Sequence, residues 1–284
     1  MKIVVSFEDR VRPDSTGVYL VRAFQQLGHE VRHVLPENIH SVKREDADFF
    51  VKCDDGLKAT QWNSDLHPSH YYCIDTHIET DWRIALANEG QFDTVSFVHS
   101  QGYGLNWKRT DPFWVPVGCD PEVHNTGHWQ KEFDGCFIGN FHNGLAGPRI
   151  EMLDAFFKSC PGPIFFGNRT FREMTEKYGK SKLVFNRSIN GDANMRVFEA
   201  MCSGSCLVTD RVPDLDKLGF VDGVHYAGYS SAEELASVVK DLLSNDEKRE
   251  TIARQGREEV VKNHTYAKRM SVILSRLPQL QETK

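Results

Sequence analysis

A chain of 284 residues, 40% apolar and 26% charged, is long enough for two domains of ordinary size or one large one. Its formal charge of −6 argues against a broad basic surface for nucleic acid, although a local groove would not show in the total. No apolar run approaches membrane-spanning length, the start MKIVVSFEDR turns charged too soon for a signal peptide, and seven scattered cysteines read as reduced thiols, so a cytoplasmic protein is expected.

The first predicted element is the β-branched strand KIVVSF, followed by a loop through Pro13 and Gly17 and the amphipathic helix VYLVRAFQQLGHEV. Gly28 ends that helix and HEVRHVL begins the next strand, which makes a β-loop-α-β opening. Further apolar runs follow at ADFFVKC, SHYYCID and TVSFVHS, each ending in polar residues. Strands apolar throughout that alternate with helices predict a parallel sheet covered on both faces. The rhythm stops at DPFWVPVGCDPEVHN, where prolines 112, 116 and 121 punctuate an extended segment that reads as an interdomain linker.

After it the pattern restarts with strand DGCFIGN, helix RIEMLDAFFKS, strand GPIFFGN, helix TFREMTEKYGKS and strand KLVFNRS. A helix over INGDANMRVFEAMCSG comes next, then strands SCLVTD and HYAGYS. Ser231 with Glu234 makes a capping box for AEELASVVKDLL, and two more helices close the chain. The expectation is α/β: two doubly wound domains facing each other across a cleft, spanning residues 1–118 and 119–284.

The segment from Ile189 to Gly204 raises the functional question. At about 100° per residue, Asp192, Arg196, Glu199 and Ser203 share a strip about 60° wide on a helix otherwise apolar. Such a strip is either an ion-pair ladder at i, i+3 and i, i+4 spacing or the wall of a ligand site. In an open parallel sheet, ligands bind beyond the carboxyl ends of strands, and here GNFHNG, GNRT and NRSINGDANMR occupy that position. Glycine lets backbone amides approach a ligand, a helix start offers N–H groups to phosphate, and Arg149, Arg169, Arg187 and Arg196 lie in or just after these loops. A carboxylate one turn inside such a helix, Glu199, is placed to accept both hydroxyls of a ribose. The donor-side candidates are therefore Gly139, Asn140, Arg149, Asn186, Asp192, Asn194, Arg196 and Glu199.

Dinucleotide and Walker sites are not indicated: the loop EDRVRPDSTG lacks G-x-G-x-x-G, and no G-x-x-x-x-G-K-[ST] occurs. Cys202 and Cys206 have no second Cys or His pair at zinc spacing, and the D-x-D at 214–216 follows Pro213 in a turn, so no metal is expected.

The motif N-x-R-x-F-E-A-x-x-x-G within LVFNRSINGDANMRVFEAMCSGSCLVTD, with H-T-Y-x-x-R near the end, resembles the spore maturation protein CgeB-like group of GT-B glycosyltransferases. GCFIGN and SAEELASVVKDLL in the second half, and LGHEV, DADFFVKCDDG, YYCIDTHIE and WVPVGCDPEVH in the first, extend the similarity over most of the chain. The resemblance implies two Rossmann-like domains, a nucleotide-diphosphate-sugar donor such as a UDP- or GDP-sugar on the C-terminal one, an acceptor approaching from the N-terminal one, and no metal. It implies a ribose-binding role for Glu199 and a place near the diphosphate for Arg196. Retaining relatives carry a second glutamate eight residues earlier, where this chain has Gly191 beside Asp192.

For the first half, CIDTHIETD clusters Asp75, His77, Glu79 and Asp81 after an apolar strand, which suits a general base for an acceptor hydroxyl. Asp75 and His77 are the catalytic candidates; the bland alternative is a helix cap and an exposed imidazole. Glu8, Asp9 and Arg10 end the first strand in the same way. The acceptor stays open among a glycan, a protein, a small molecule and a modified nucleic-acid base. A nucleotide-sugar binder without turnover and a nucleotide-sugar epimerase are the competing functions.

Overall fold

The computed structural model describes the chain except for residues 12, 13, 59, 60, 109, 110, 125, 126, 128, 140–146, 190 and 278–284. It divides into two compact units, Met1–Val117 together with the chain from Tyr266 onward, and Gly118–Thr265.

In the first unit, β1 (Lys2–Ser6), β2 (Glu30–Val34), β3 (Phe49–Cys53), β4 (Ser69–Cys73), β5 (Thr94–Phe97) and β6 (Phe113–Trp114) form a parallel sheet in the order β2-β1-β3-β4-β5-β6. β3, β4 and β5 are buried along their whole length, the polar Lys52, Ser69, His70, Thr94 and Ser96 included, as a sheet covered on both faces demands. Helix α1 (Thr16–Gln26) turns Tyr19, Leu20, Ala23 and Phe24 inward. It stops where Gly28 adopts φ +82°, with the Gly28 and His29 amides bonded to Gln25 O and Phe24 O. Between β4 and β5 lies α2 (Thr80–Glu89).

The segment read as a linker contributes β6 to the sheet edge, pairing Ser96 with Phe113 and Phe97 with Trp114. It then supplies the short helix α3 (Pro121–His124) of the second unit. The last helix, α10 (Tyr266–Ser275), expected with the second domain, belongs to the first unit. Tyr266 stacks on Tyr19 with ring centroids 5.2 Å apart and planes at 1°, and Met270 and Ile273 are fully buried. Burying that apolar stripe against α1 outweighs continuity with the preceding helix.

In the second unit, β7 (Phe133–Ile138), β8 (Ile164–Gly167), β9 (Ser181–Phe185), β10 (Cys206–Asp210) and β11 (Ala227–Tyr229) are parallel in the order β11-β10-β9-β7-β8. The strands are covered by α4 (Gly147–Lys158), α5 (Phe171–Gly179), α6 (Met195–Cys202), α7 (Pro213–Lys217), α8 (Ala232–Ser244) and α9 (Asp246–Asn263). Phe137, Phe156, Leu183, Phe185, Val208, Leu235 and Val239 belong to one core. Ser231 Oγ caps α8 by accepting the Glu234 amide at 3.2 Å, while the Glu234 carboxylate takes the Ser230 amide at 2.7 Å and so completes the box one residue early. Gly256, inside α9, is required by close approach: a Cβ there would lie 2.3 Å from the His225 carbonyl oxygen.

All seven cysteines are free thiols. Among the described residues no helix is long and apolar enough to cross a membrane.

Candidate functional site

Strand order in the second sheet reverses after β7: β8 lies on one side of it and β9 on the other. Such a switch point opens a crevice at the carboxyl ends of the two central strands. Four of the residues predicted for the donor, Gly139, Asn186, Asn194 and Arg196, come together there. Gly139 follows β7, and its amide bonds to Gly167 O at 3.1 Å. Asn186 follows β9 and is buried. Its Nδ2 donates to Thr209 Oγ1 at 2.9 Å, and its Oδ1 accepts from Asn194 Nδ2 at 3.1 Å and from Arg196 Nη1 at 2.7 Å. Asn140 lies outside the described residues.

Helix α6 starts at Met195, so the expected helix from Ile189 begins later, and Ile189 and residues 191–194 are loop. Asp192 sits in that loop, where its Oδ1 accepts the Ile189 amide at 3.3 Å, and it is not part of a helical strip with Arg196. Asp210 at the end of β10 holds the loop by accepting the Ser188 amide at 2.8 Å and the Ser188 hydroxyl at 2.6 Å. Gly191 has φ +75°, a left-handed conformation that disfavours any side chain. The absence of a carboxylate at this position thus has a backbone reason.

Arg196, expected toward the diphosphate, spans the switch point as a strut. Its Nε and Nη2 donate to Ile138 O at 3.1 and 2.7 Å, and its guanidinium lies over the Phe137 ring at 4.5 Å. A Cβ on Gly139 would sit 2.6 Å from Nη2, so glycine is what admits the guanidinium. Glu199, one turn further, is buried. Arg149, in the first turn of α4, is half-buried, and its buried Nε has no hydrogen-bond partner among the described residues. Burial pushes its pKa below the ordinary guanidinium value and the charge of Arg196 adds to this, against the pull of Asp192 and Asp210. The switch point therefore carries two neighbouring guanidinium groups, one committed to protein carbonyls and one with an unmet donor. Arg169, by contrast, pairs with Glu173 at 3.5 Å on the surface.

At the carboxyl end of the first sheet, Asp75 and His77 follow β4, and the structure brings His99, which follows β5, beside them. The rings of His77 and His99 meet edge to face with centroids 4.5 Å apart. Asp54 supports this corner: its Oδ2 accepts from Arg83 Nε at 2.5 Å and from the Ile74 and Asp75 amides at 3.2 and 3.4 Å. Burial works against the Arg83 charge, but Asp54 more than offsets it and holds the guanidinium above its ordinary value. Lys52, fully buried, donates to Asp55 Oδ2 at 2.7 Å. In the first loop, Glu8 accepts from Arg10 and Arg10 also pairs with Glu37 at 2.9 Å. The Arg10 hydrogen bond lowers the Glu8 pKa to about 2.

Sequence reasoning passed over Lys52, Asp54, Asp55, Arg83, His99, Thr209 and Asp210. The doublet Asp54–Asp55 at the end of an apolar strand, and a lysine inside that strand, were available signals. His99 stood in the same strand-end position as Asp75, while Arg83 carried none.

The glycosyl transferase-like family model matches residues 160–275, which lie mostly in the second unit. No curated protein matches the sequence. Among solved structures, the chain is similar to T4 phage BGT in complex with UDP-glucose, with 14% identity, a TM-score of 0.66, and 98% of this chain and 100% of that one covered. An alpha-glucosyltransferase in complex with UDP and a 13-mer DNA containing an HMU base matches at 12% identity and a TM-score of 0.72, covering 97% and 98%. Sucrose-phosphate synthase from Thermosynechococcus elongatus matches at 11% identity and 0.67, covering 98% and 99%. Two parallel-sheet Rossmann-like units and these neighbours establish that the chain has the GT-B fold of glycosyltransferases, with a second unit similar to the glycosyl transferase-like family.

Proposed function

We propose that this chain is a glycosyltransferase that moves a sugar from a nucleotide-diphosphate donor to a hydroxyl acceptor without a metal on the diphosphate. The observation that carries the reading is the half-buried Arg149, its Nε unmet, beside Arg196 at the switch point. A half-buried guanidinium with an unmet Nε among the described residues, beside a second guanidinium, gains from an anion despite the nearby Asp192 and Asp210. The start of α6 adds partial positive charge, since its N-cap Asn194 turns its side chain to Asn186 and leaves the helix end uncapped. Glu199, one turn in, accepts the ribose hydroxyls. UDP is the first donor nucleotide to test, because the neighbours described with a nucleotide carry UDP or UDP-glucose; GDP is the second.

In the transfer, the acceptor oxygen bonds to the anomeric carbon and the carbon–oxygen bond to the diphosphate breaks, its electron pair leaving with the phosphate. Arg149 and the α6 start stabilise that developing charge. Asp75 or His77 takes the acceptor proton. The hydroxyl belongs to a glycan, a protein, a small molecule or a modified nucleic-acid base. Calorimetry with UDP, GDP, ADP and dTDP and their sugars tests the donor reading: one clear binder, weakened by Glu199→Gln, is expected, and silence across the panel sinks it. Gly191, with no carboxylate toward the sugar, favours one alternative, a nucleotide-sugar binder without turnover. Release of free nucleotide from the bound donor excludes it.

A further inference from the structure

The carboxyl end of the first sheet holds a second chemistry. The register of β4 and β5 pairs Cys73 with Phe97, so two residues on, Asp75 and His99 leave neighbouring strands side by side. His77 follows on the same turn as Asp75. One ligand atom from each of Asp75, His77 and His99 lies within 4.8 Å of the other two. A tetrahedral ion with bonds of about 2.0–2.2 Å holds its ligands about 3.4 Å apart, so these atoms need converge by at most about 1.4 Å. Two imidazoles and a carboxylate suit a borderline cation such as Zn2+, whereas Mg2+ and Ca2+ prefer all-oxygen sets.

The surroundings fit a site. His99 is 4% exposed and forms a buried floor, while the Asp75 side chain is 43% exposed at the rim, where water has access. Asp54 orients Asp75 through its backbone amide. Arg83 Nη2 stands 3.8 Å from one Asp75 oxygen and helps to orient the carboxylate.

We propose that Asp75, His77 and His99 form a binding site for a Zn2+-class transition-metal ion, with a fourth position open to water. An ion there takes the lone pairs that the acceptor-side base uses. On the functional reading above, occupancy and proton abstraction therefore exclude one another; the binding itself does not depend on that reading.

The full chain, stripped with chelator, is titrated with Zn2+ by calorimetry and with Co2+ by visible absorption, with no donor or acceptor present. One equivalent should bind, with Co2+ bands free of thiolate charge transfer, which distinguishes this site from the seven cysteines. His99→Ala and, separately, the rim variant Asp75→Asn should each weaken binding at least about 10-fold. Absence of stoichiometric binding, binding unchanged in Asp75→Asn, or a thiolate band overturns the proposal. A failed donor screen leaves this site standing, and loss of this site leaves the donor reading standing.

Discussion

The two sheets end in opposite electrostatics. In the first unit, each buried cation at the strand ends has a carboxylate in contact: Arg83 with Asp54 at 2.5 Å and Lys52 with Asp55 at 2.7 Å. In the second, Arg149 and Arg196 stand near each other, and Arg149 Nε has no hydrogen-bond partner among the described residues. Both layouts follow from the same parallel architecture, whose carboxyl ends gather loops at one edge. The first unit thus pairs its buried Arg83 and Lys52 within the protein, and on the function proposed above the second presents Arg149 to an anion.

The sharpest way to break the comparison is to unpair the first unit. Asp54→Ala leaves Arg83, with its side chain 3% exposed, as a buried cation without its closest carboxylate. Loss of one partner of a buried pair costs about 3–5 kcal/mol. Chemical denaturation should show the midpoint falling accordingly, and an unchanged midpoint would mean the pair contributes nothing.

Within the second unit, the two arginines should separate stability from binding. Arg196→Ala strips partners from Ile138 O and Asn186 Oδ1 and should destabilise by about 1–3 kcal/mol. Arg149→Ala removes a desolvated cation whose Nε is unmet among the described residues and should leave stability equal or higher, yet weaken UDP binding by about 1.5–3 kcal/mol, or roughly 10- to 150-fold. Equal losses of stability in both variants would make Arg149 a second strut and remove the basis for an anion site.

How much of this was readable depended on which interactions are local. The central strands were legible because burial on both faces writes continuous apolar runs, and α1 because Tyr19, Leu20, Ala23 and Phe24 repeat at helical spacing. α2 was not, since it buries little beyond Arg83 and Ala87 and so has no apolar stripe. β6 hid among prolines because a two-residue edge strand has no period to detect. In the site, Asn186, Arg196 and Glu199 stood out as polar residues in apolar surroundings. Asp210 did not, because its function is to hold Ser188, 22 residues away, through contacts between strand ends. The false start of α6 at Ile189 has a local cause: Gly191 at φ +75° leaves helical geometry, which a pattern of apolar and charged residues does not record.

That backbone gives a third test, smaller than the first two. Gly191→Ala places a Cβ in the left-handed region and should cost about 1–2 kcal/mol at one residue, read as a lower denaturation midpoint. A Gly191→Ala chain with an unchanged midpoint would show that the loop relaxes to admit a side chain at this position.

The smallest effect belongs to the exposed rim of the first unit, where Arg10 draws the Glu8 pKa from 4.5 down to about 2. A carboxylate whose folded pKa is depressed contributes stability above its unfolded value, and that contribution is lost as pH falls through the folded one. The window is therefore from about pH 4.5 down to about 2. Thermal midpoints of the wild type and Arg10→Ala should differ by a small constant amount above this window and converge towards its lower end. The solvent-exposed Arg10 side chain, screened by salt, keeps the difference small, and raising the ionic strength should shrink it further. Midpoints that stay separated at the acid end would place the effect of Arg10 outside its contact with Glu8, in its pairing with Glu37 or in the loop backbone.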